Sequence, residues 1–153
     1  MLRKIISVFF LLASAVCYAQ GDASEFNLSD INREGMTKAQ AEKLLIIALR
    51  HQNYNLSLEG IFIDGDLQDE QGNAPHPGYY DFSLGYDKPT AGATDYLGLF
   101  SISPETGDIW EINECERVVF PELQKIQQGI MKKTGATFAS EMVQRRGLGC
   151  TDE

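Results

Sequence analysis

The period of hydrophobic and polar positions changes twice between Thr37 and the C-terminal tail. From Thr37 to His51, apolar residues recur three and four apart at Ala41, Leu44, Leu45, Ala48 and Leu49. That spacing marks one buried helical stripe. Thr37 with Gln40 fits a capping box at its start, and Asn53 and Asn55 suit its exit. From Leu56 the period drops towards two. Segments 56–63, 79–86, 96–103 and 108–113 read as strands, with polar loops at 64–78 and 87–94 and a tight turn at Pro104-Glu105-Thr106-Gly107 between them. Gly60, Gly85 and Gly98 interrupt these strands, which predicts bulges or bends that curl the sheet. From Val118 the helical spacing returns through Phe120, Leu123, Ile126 and Ile130. Pro121 suits the first turn of that helix, and Gly135 its stop. A last short helix is expected over Phe138, Met142 and Val143. The pattern predicts an α+β fold: an antiparallel four-stranded meander packed by helices mainly on one face.

The first residues follow another rule. Arg3 and Lys4 precede an apolar run at 5–16, and small residues follow it. This is the layout of a secretory signal peptide, with cleavage expected after Ala19. The run is too short for a comfortable permanent membrane anchor. Val16, rather than a small residue, precedes Cys17, which argues against lipid attachment there. The expected organisation is therefore a signal peptide at 1–19, an irregular segment at 20–36, a single α+β domain at 37–147, and a tail at 148–153. The expected destination is the periplasm or the exterior.

Cleavage sharpens the charge. The mature chain of 134 residues keeps all 22 acidic residues and 11 of the 13 basic ones, a formal charge of −11. Such a surface repels nucleic acid and anionic membranes. It suits a basic protein partner through electrostatic steering, or serves solubility. Cys115 and Cys150 remain, and an oxidising compartment favours one disulfide between them that ties the tail to the end of the sheet.

No catalytic set assembles along the chain. There is no GxSxG around Ser83, Ser101 or Ser103, no HExxH, and no phosphate loop or nucleotide fingerprint. His51 is expected to cap the carbonyls at its helix end. His76, between Pro75 and Pro77, is expected to be exposed and rigidly presented, as a contact residue rather than a base. Asp64, Asp66, Asp69 and Glu70 resemble the start of a calcium loop but lack its later glycine and distal glutamate. They read as a solvated acidic loop or as a docking patch for a basic partner. No metal and no cofactor is expected. The composition instead points to recognition by the loops at 64–78 and 87–96. Asp64, Asp66, Asp69, Glu70, His76, Tyr80, Lys88, Asp95 and Tyr96 are the candidate partner-binding residues, because prolines lower the entropy lost on binding and tyrosines serve as anchors. Trp110 is expected in the core or in a groove. A carrier of a small apolar ligand would need a cavity between sheet and helix beside it. An exposed edge strand makes a homodimer an open alternative.

Two resemblances follow. The segment Thr37–Ile112 resembles a PepSY-type module, a helix before a short meander that ends in a Thr-Gly turn, here Ser103-Pro104-Glu105-Thr106-Gly107-Asp108-Ile109-Trp110. The stretch 66–77 departs from that family as an insertion. The resemblance implies an envelope module, with inhibition of secreted peptidases among its roles. The mature chain is also similar in kind to periplasmic immunity proteins of type VI secretion systems, which are small, exported and often disulfide-linked. That resemblance implies an inhibitor, not an enzyme, that plugs the active cleft of a peptidoglycan-degrading toxin.

Overall fold

The computed structural model describes residues 26–88, 90 and 92–150. The expected signal peptide, the residues up to 25, and residues 151–153 lie outside the described residues.

The first long helix, α1 (Lys38–His51), begins where the capping box puts it. The Thr37 hydroxyl accepts from the Gln40 N–H, and Gln40 Oε1 accepts from the Thr37 N–H at 2.7 Å. Two donors left free by the first turn are thereby satisfied. Its stripe of Ala41, Leu44, Leu45, Ala48 and Leu49 is buried, and Asn53 takes the left-handed exit at φ 65°. His51 does not cap carbonyls as expected. Its ring stacks on Phe120 with centroids 3.8 Å apart, because the start of the second helix comes alongside and offers an aromatic face. The residues before α1 are also more ordered than an irregular segment. A short 3-10 turn at Leu28–Asp30 is capped by Asn27, and Ile31 and Met36 are buried in the core.

Five antiparallel strands follow in sequence order: β1 (Ile61–Asp64), β2 (Tyr80–Lys88), β3 (Ala93–Ile102), β4 (Ile109–Glu111) and β5 (Glu116–Arg117). The expected meander is present with one strand more than the hydrophobic pattern marked, since β5 is only two residues long. β1 begins later than expected. Gly60 sits at φ 92°, and the Leu58 and Ile61 N–H groups donate to the Asn55 and Leu58 carbonyls, so residues 56–60 turn rather than extend. Of the expected loop at 87–94, Asp87, Lys88, Ala93 and Thr94 are strand, because β2 and β3 run on as a two-stranded hairpin.

The register sorts side chains to two faces. Phe82 pairs with Phe100 and Ile102 with Ile109. These, with Leu84, form the main core against α1 and α2 (Pro121–Thr134). Pro121 opens α2, and Gly135 closes it at φ 81°. On the other face lie Asp81, Ser101 and Trp110, paired in that order across β2, β3 and β4. This face is covered at the β3–β4 end by α3 (Met142–Arg146) and the tail, where Tyr79, Trp110 and Leu148 form a second small cluster. The disulfide between Cys115 and Cys150 closes this end, with Cα atoms 4.9 Å apart. Met142 and Val143 are exposed rather than buried. The last helix is held by polar groups instead.

Those groups converge on the β3–β4 turn. Ser103 and Thr106 hydroxyls donate to the two carboxylate oxygens of Glu141, while accepting backbone N–H groups of their own turn. Asp108, fully buried, accepts from Trp110 Nε1 at 3.0 Å, Arg117 Nε at 2.6 Å and Arg145 Nη2 at 2.8 Å. Gly107 takes φ 71°, and a Cβ there would meet Ile130 and Leu44.

Burial holds the Glu141 carboxyl above its ordinary 4.5, against the lowering effect of the Ser103 and Thr106 hydrogen bonds. The folded state then binds its proton more tightly than the unfolded chain. Its contribution to stability is present below 4.5 and lost as pH rises through the folded value. The stability difference between the native protein and Glu141→Gln, measured by urea unfolding, is expected to shift in favour of the native protein as pH falls from 7 towards 4.5. A difference that stays constant with pH would refute the burial argument. Replacing Cys115 with Ser opens a loop spanning 35 residues and is expected to cost about 3–4 kcal/mol in the same assay.

Candidate functional site

β2 begins at Tyr80 and ends at Lys88, so its two flanking loops leave from opposite ends of the sheet. Nine residues of strand separate those ends by about 26 Å. The nine candidate contact residues therefore divide into two groups rather than forming one patch. Asp64, Asp66, Asp69, Glu70, His76 and Tyr80 stand at one end, and Lys88, Asp95 and Tyr96 at the other.

At the first end the charges are used locally. Asp66 accepts from Lys38 Nζ at 2.7 Å, and that ammonium lowers its pKa. Asp69 folds its own loop, accepting from the Asn73 N–H at 2.8 Å and the Gln71 N–H at 2.9 Å; these bonds lower its pKa too. Asp64 Oδ1 accepts from the Asp66 N–H at 2.9 Å. Glu70 is exposed. Among the described residues, no three His, Cys, Asp or Glu side chains gather closely enough to hold a metal ion. Tyr80 is half-buried against the core and donates to the Met36 carbonyl.

His76 is not the free loop residue its two prolines predict. Its side chain retains only 14% of its exposure. Its backbone N–H donates to Asp81 Oδ2, and Nδ1 lies 2.7 Å from Asp81 Oδ1. Ser101, directly across the strand pair, donates to the same Asp81 Oδ1 at 2.5 Å and lies 3.0 Å from Nδ1. A serine, a histidine and an aspartate thus meet, but with the wrong connectivity for nucleophilic catalysis. The serine proton goes to the aspartate, both partners crowd the same ring nitrogen, and Ser101 is fully buried. A working triad needs the serine on one ring nitrogen and the carboxylate on the other, with the nucleophile open to substrate. The cluster instead pins the β1–β2 loop to the sheet. Only the register of β2 against β3 makes Asp81 and Ser101 neighbours, and no spacing along the chain signals it.

At the second end, Lys88 pairs with Asp95 at 2.7 Å, which raises the lysine pKa. The Thr94 hydroxyl donates to Asp87 Oδ1 at 2.5 Å. Tyr96 keeps 76% of its exposure, and Leu97 is exposed as well. The register shifts at Leu84/Gly85, the bulge expected at that glycine, where the Phe62 ring occupies the space a side chain would need. Trp110 lies on the face away from α1 and α2, beside Tyr79 and Leu148.

A family model described as "T6SS, Immunity protein Tgi2PP" matches residues 35–142. The chain is also similar to a chain in the solved structure of a type VI secretion system effector–immunity complex from Pseudomonas protegens. The two are 56% identical and superimpose with a TM-score of 0.79, over 83% of this chain and 99% of that one. No curated protein matches the chain.

The Asp81 carboxylate satisfies three donors in a buried setting, and Asp81→Ala removes the acceptor that His76 and Ser101 share. It is expected to cost about 1–3 kcal/mol in urea unfolding. Asp66→Ala, which removes only an exposed pair, is expected to leave the midpoint unchanged. Equal midpoints for the two variants would refute the anchoring role given to Asp81.

Proposed function

The chain belongs to the type VI secretion immunity family Tgi2PP, and we propose that it acts in the periplasm by binding a peptidoglycan-degrading effector and closing its active cleft. As an immunity protein it is a binding partner rather than an enzyme. The observation that carries the reading is its similarity, over nearly the whole length of the other chain, to a chain held in an effector–immunity complex. The matched family, residues 35–142, spans the region in which the PepSY resemblance was drawn, so that segment belongs to the immunity family and not specifically to a PepSY-like module.

Three physical features support the finer parts of the reading. The leader pattern at 1–19 directs the chain to the compartment where peptidoglycan lies. The Cys115–Cys150 bond belongs to an oxidising compartment. The mature charge of −11 speeds encounter with a basic partner and disfavours acidic ones. An enzyme whose substrate is the anionic cell wall suits that description. Occlusion asks nothing of the inhibitor chemically, only a surface shaped to the cleft and held rigid.

The test uses the oxidised mature chain, residues 20–153, as bait in periplasmic extract and culture fluid of the producing strain. The captured effector is then assayed on purified peptidoglycan sacculi. The expected result is one stoichiometric effector that releases soluble fragments from sacculi and is silenced by an equimolar amount of the chain. An effector that binds but leaves sacculi intact would remove the peptidoglycan assignment. Continued hydrolysis in the complex would remove the occlusion.

A further inference from the structure

We propose that two copies of this chain associate through the free edge of β1 and the groove beside it, around a two-fold axis that passes between the two Phe62 side chains and joins both sheets into one. The occupant of the groove is a second copy, and nothing in this pairing depends on the immunity reading.

The sheet has two edges, β1 and β5. An open edge offers unpaired backbone groups to any strand that approaches, and proteins usually blunt it with charge, proline, a bulge or shortness. β5 is blunted, being the two charged residues Glu116–Arg117. β1 is not. It opens with Ile61, Phe62 and Ile63, and its pairing with β2 carries no bulge. The Asp87 N–H donates to the Gly60 carbonyl, which sets the alternation of the antiparallel ladder. Phe62 and Asp64 turn their backbone groups towards β2, and Ile61 and Ile63 turn theirs outward. The Leu58 carbonyl takes the Ile61 N–H at 3.1 Å. The Ile61 carbonyl and both backbone groups of Ile63 have no partner among the described residues.

A groove of about 290 Å³ runs along this edge, with Glu42, Ile46 and Arg50 of α1 on one wall and Ile61, Phe62 and Ile63 on the other. The Lys38–Asp66 pair at 2.7 Å ties the start of α1 to the end of β1, so helix and strand run in opposite senses. Ile46 lies about 12 Å along the helix from Lys38, and Phe62 about 13 Å along the strand from Asp66. The two are therefore level. Glu42 and Arg50 stand about 6 Å to either side of Ile46. A two-fold axis at that level lets the Ile63 N–H of each copy meet the Ile61 carbonyl of the other. It sets the two Phe62 rings as a cross-strand aromatic pair. It also turns Glu42 of each copy towards Arg50 of the other. Among the described residues neither Glu42 nor Arg50 has an ion-pair partner in its own chain. One axis thus serves strand and helix together, the self-complementarity that an isologous contact requires.

Charge selects the same surface. Two mature chains of −11 repel each other over most of their area. On the elements that frame the groove, Lys38, Lys43 and Arg50 stand against Glu42, Glu59, Asp64 and Asp66, which is close to balance. A second copy meets least repulsion there. A uniformly basic partner would set its charge against the three basic groups and is drawn to the acidic surface elsewhere. The contact is short, two backbone hydrogen bonds with a pair of rings and two charge pairs, and belongs to the weak, reversible class.

The experiment uses the oxidised mature chain, residues 20–153, without effector. Sedimentation equilibrium from about 10 μM to about 1 mM is expected to show a reversible monomer–dimer equilibrium. Amide exchange followed by NMR is expected to slow at Ile63 as concentration rises, while Phe62 and Asp64 stay protected throughout. Glu42→Arg and Arg50→Glu each set like charges across the axis, and each alone is expected to dimerise about tenfold more weakly than the native chain. Mixed, the two variants restore unlike charges at both positions, and the mixture is expected to dimerise at least as tightly as the native chain. Neither side chain is buried, and unfolding midpoints equal to that of the native chain verify that both variants are folded. A native chain that stays monomeric at the highest concentration overturns the proposal. So does a dimer whose Ile63 amide exchanges at one rate throughout, or one in which the two variants fail to complement each other. A chain that is monomeric alone but protects Ile63 on binding the captured effector assigns the groove to the effector, and the pairing falls while the immunity reading stands.

Discussion

The fold depends on burying one short polar turn. Residues 103–108 connect β3 to β4, and the N-terminal segment, β5, α2 and the last helix all reach them. Met36 donates to the Pro104 carbonyl from the N-terminal side. Gln127 donates to the Gly107 carbonyl, and Thr134 to that of Glu105, from α2. Glu141 and Arg145 arrive from the last helix and Arg117 from β5. A buried aspartate is costly unless paired and hydrogen-bonded. Asp108 meets that requirement only when Trp110 of β4, Arg117 of β5 and Arg145 of α3 are in place together. The turn is therefore less a connection than a condition: the segments that neutralise it must all dock, or the charge is stranded.

That condition explains why the sheet is covered unequally. α1 and α2 bury their apolar stripes on one face by ordinary hydrophobic packing. α3 is five residues long and offers almost no apolar face. It sits on the other side because Glu141 and Arg145 have fixed destinations there and because the Cys115–Cys150 bond limits how far the tail can stray. The coverage stops at the β3–β4 end. Nothing comparable reaches the far end of β2 and β3, where Asp87, Lys88, Ala93 and Thr94 are exposed.

The elements set by local chemistry were legible in the sequence. The capping box of Thr37 and Gln40, the Pro121 start and Gly135 stop of α2, the Thr-Gly turn, the bulge at Gly85 and the cysteine pair all follow from residue type and spacing. What escaped was set by contacts between distant segments. β5 has two residues and no period to show. His51 was assigned to carbonyls that it leaves for the Phe120 ring. His76 looked free because prolines flank it, yet the register brings Asp81 and Ser101 beneath it. The candidate site was half legible for the same reason. Composition singled out both loops, but only the strand topology reveals that they point away from each other.

Buried ionisable groups in a cleft often mark catalysis, and this chain holds two such sets, Asp108 with its arginines and His76 with Asp81 and Ser101. Ser101 and Asp108 are fully buried. The proton of Ser101 is committed to Asp81, and Asp108 has a donor on each carboxylate oxygen. Their chemistry is spent on geometry. Apolar residues could fill the same space with comparable stability, but they would not dictate which segment docks where; polar groups with a single satisfying arrangement do. An inhibitor benefits from that arrangement because a contact surface held in one conformation loses less entropy on binding. The groups that meet the partner can then be chemically plain, while the demanding electrostatics stay inside.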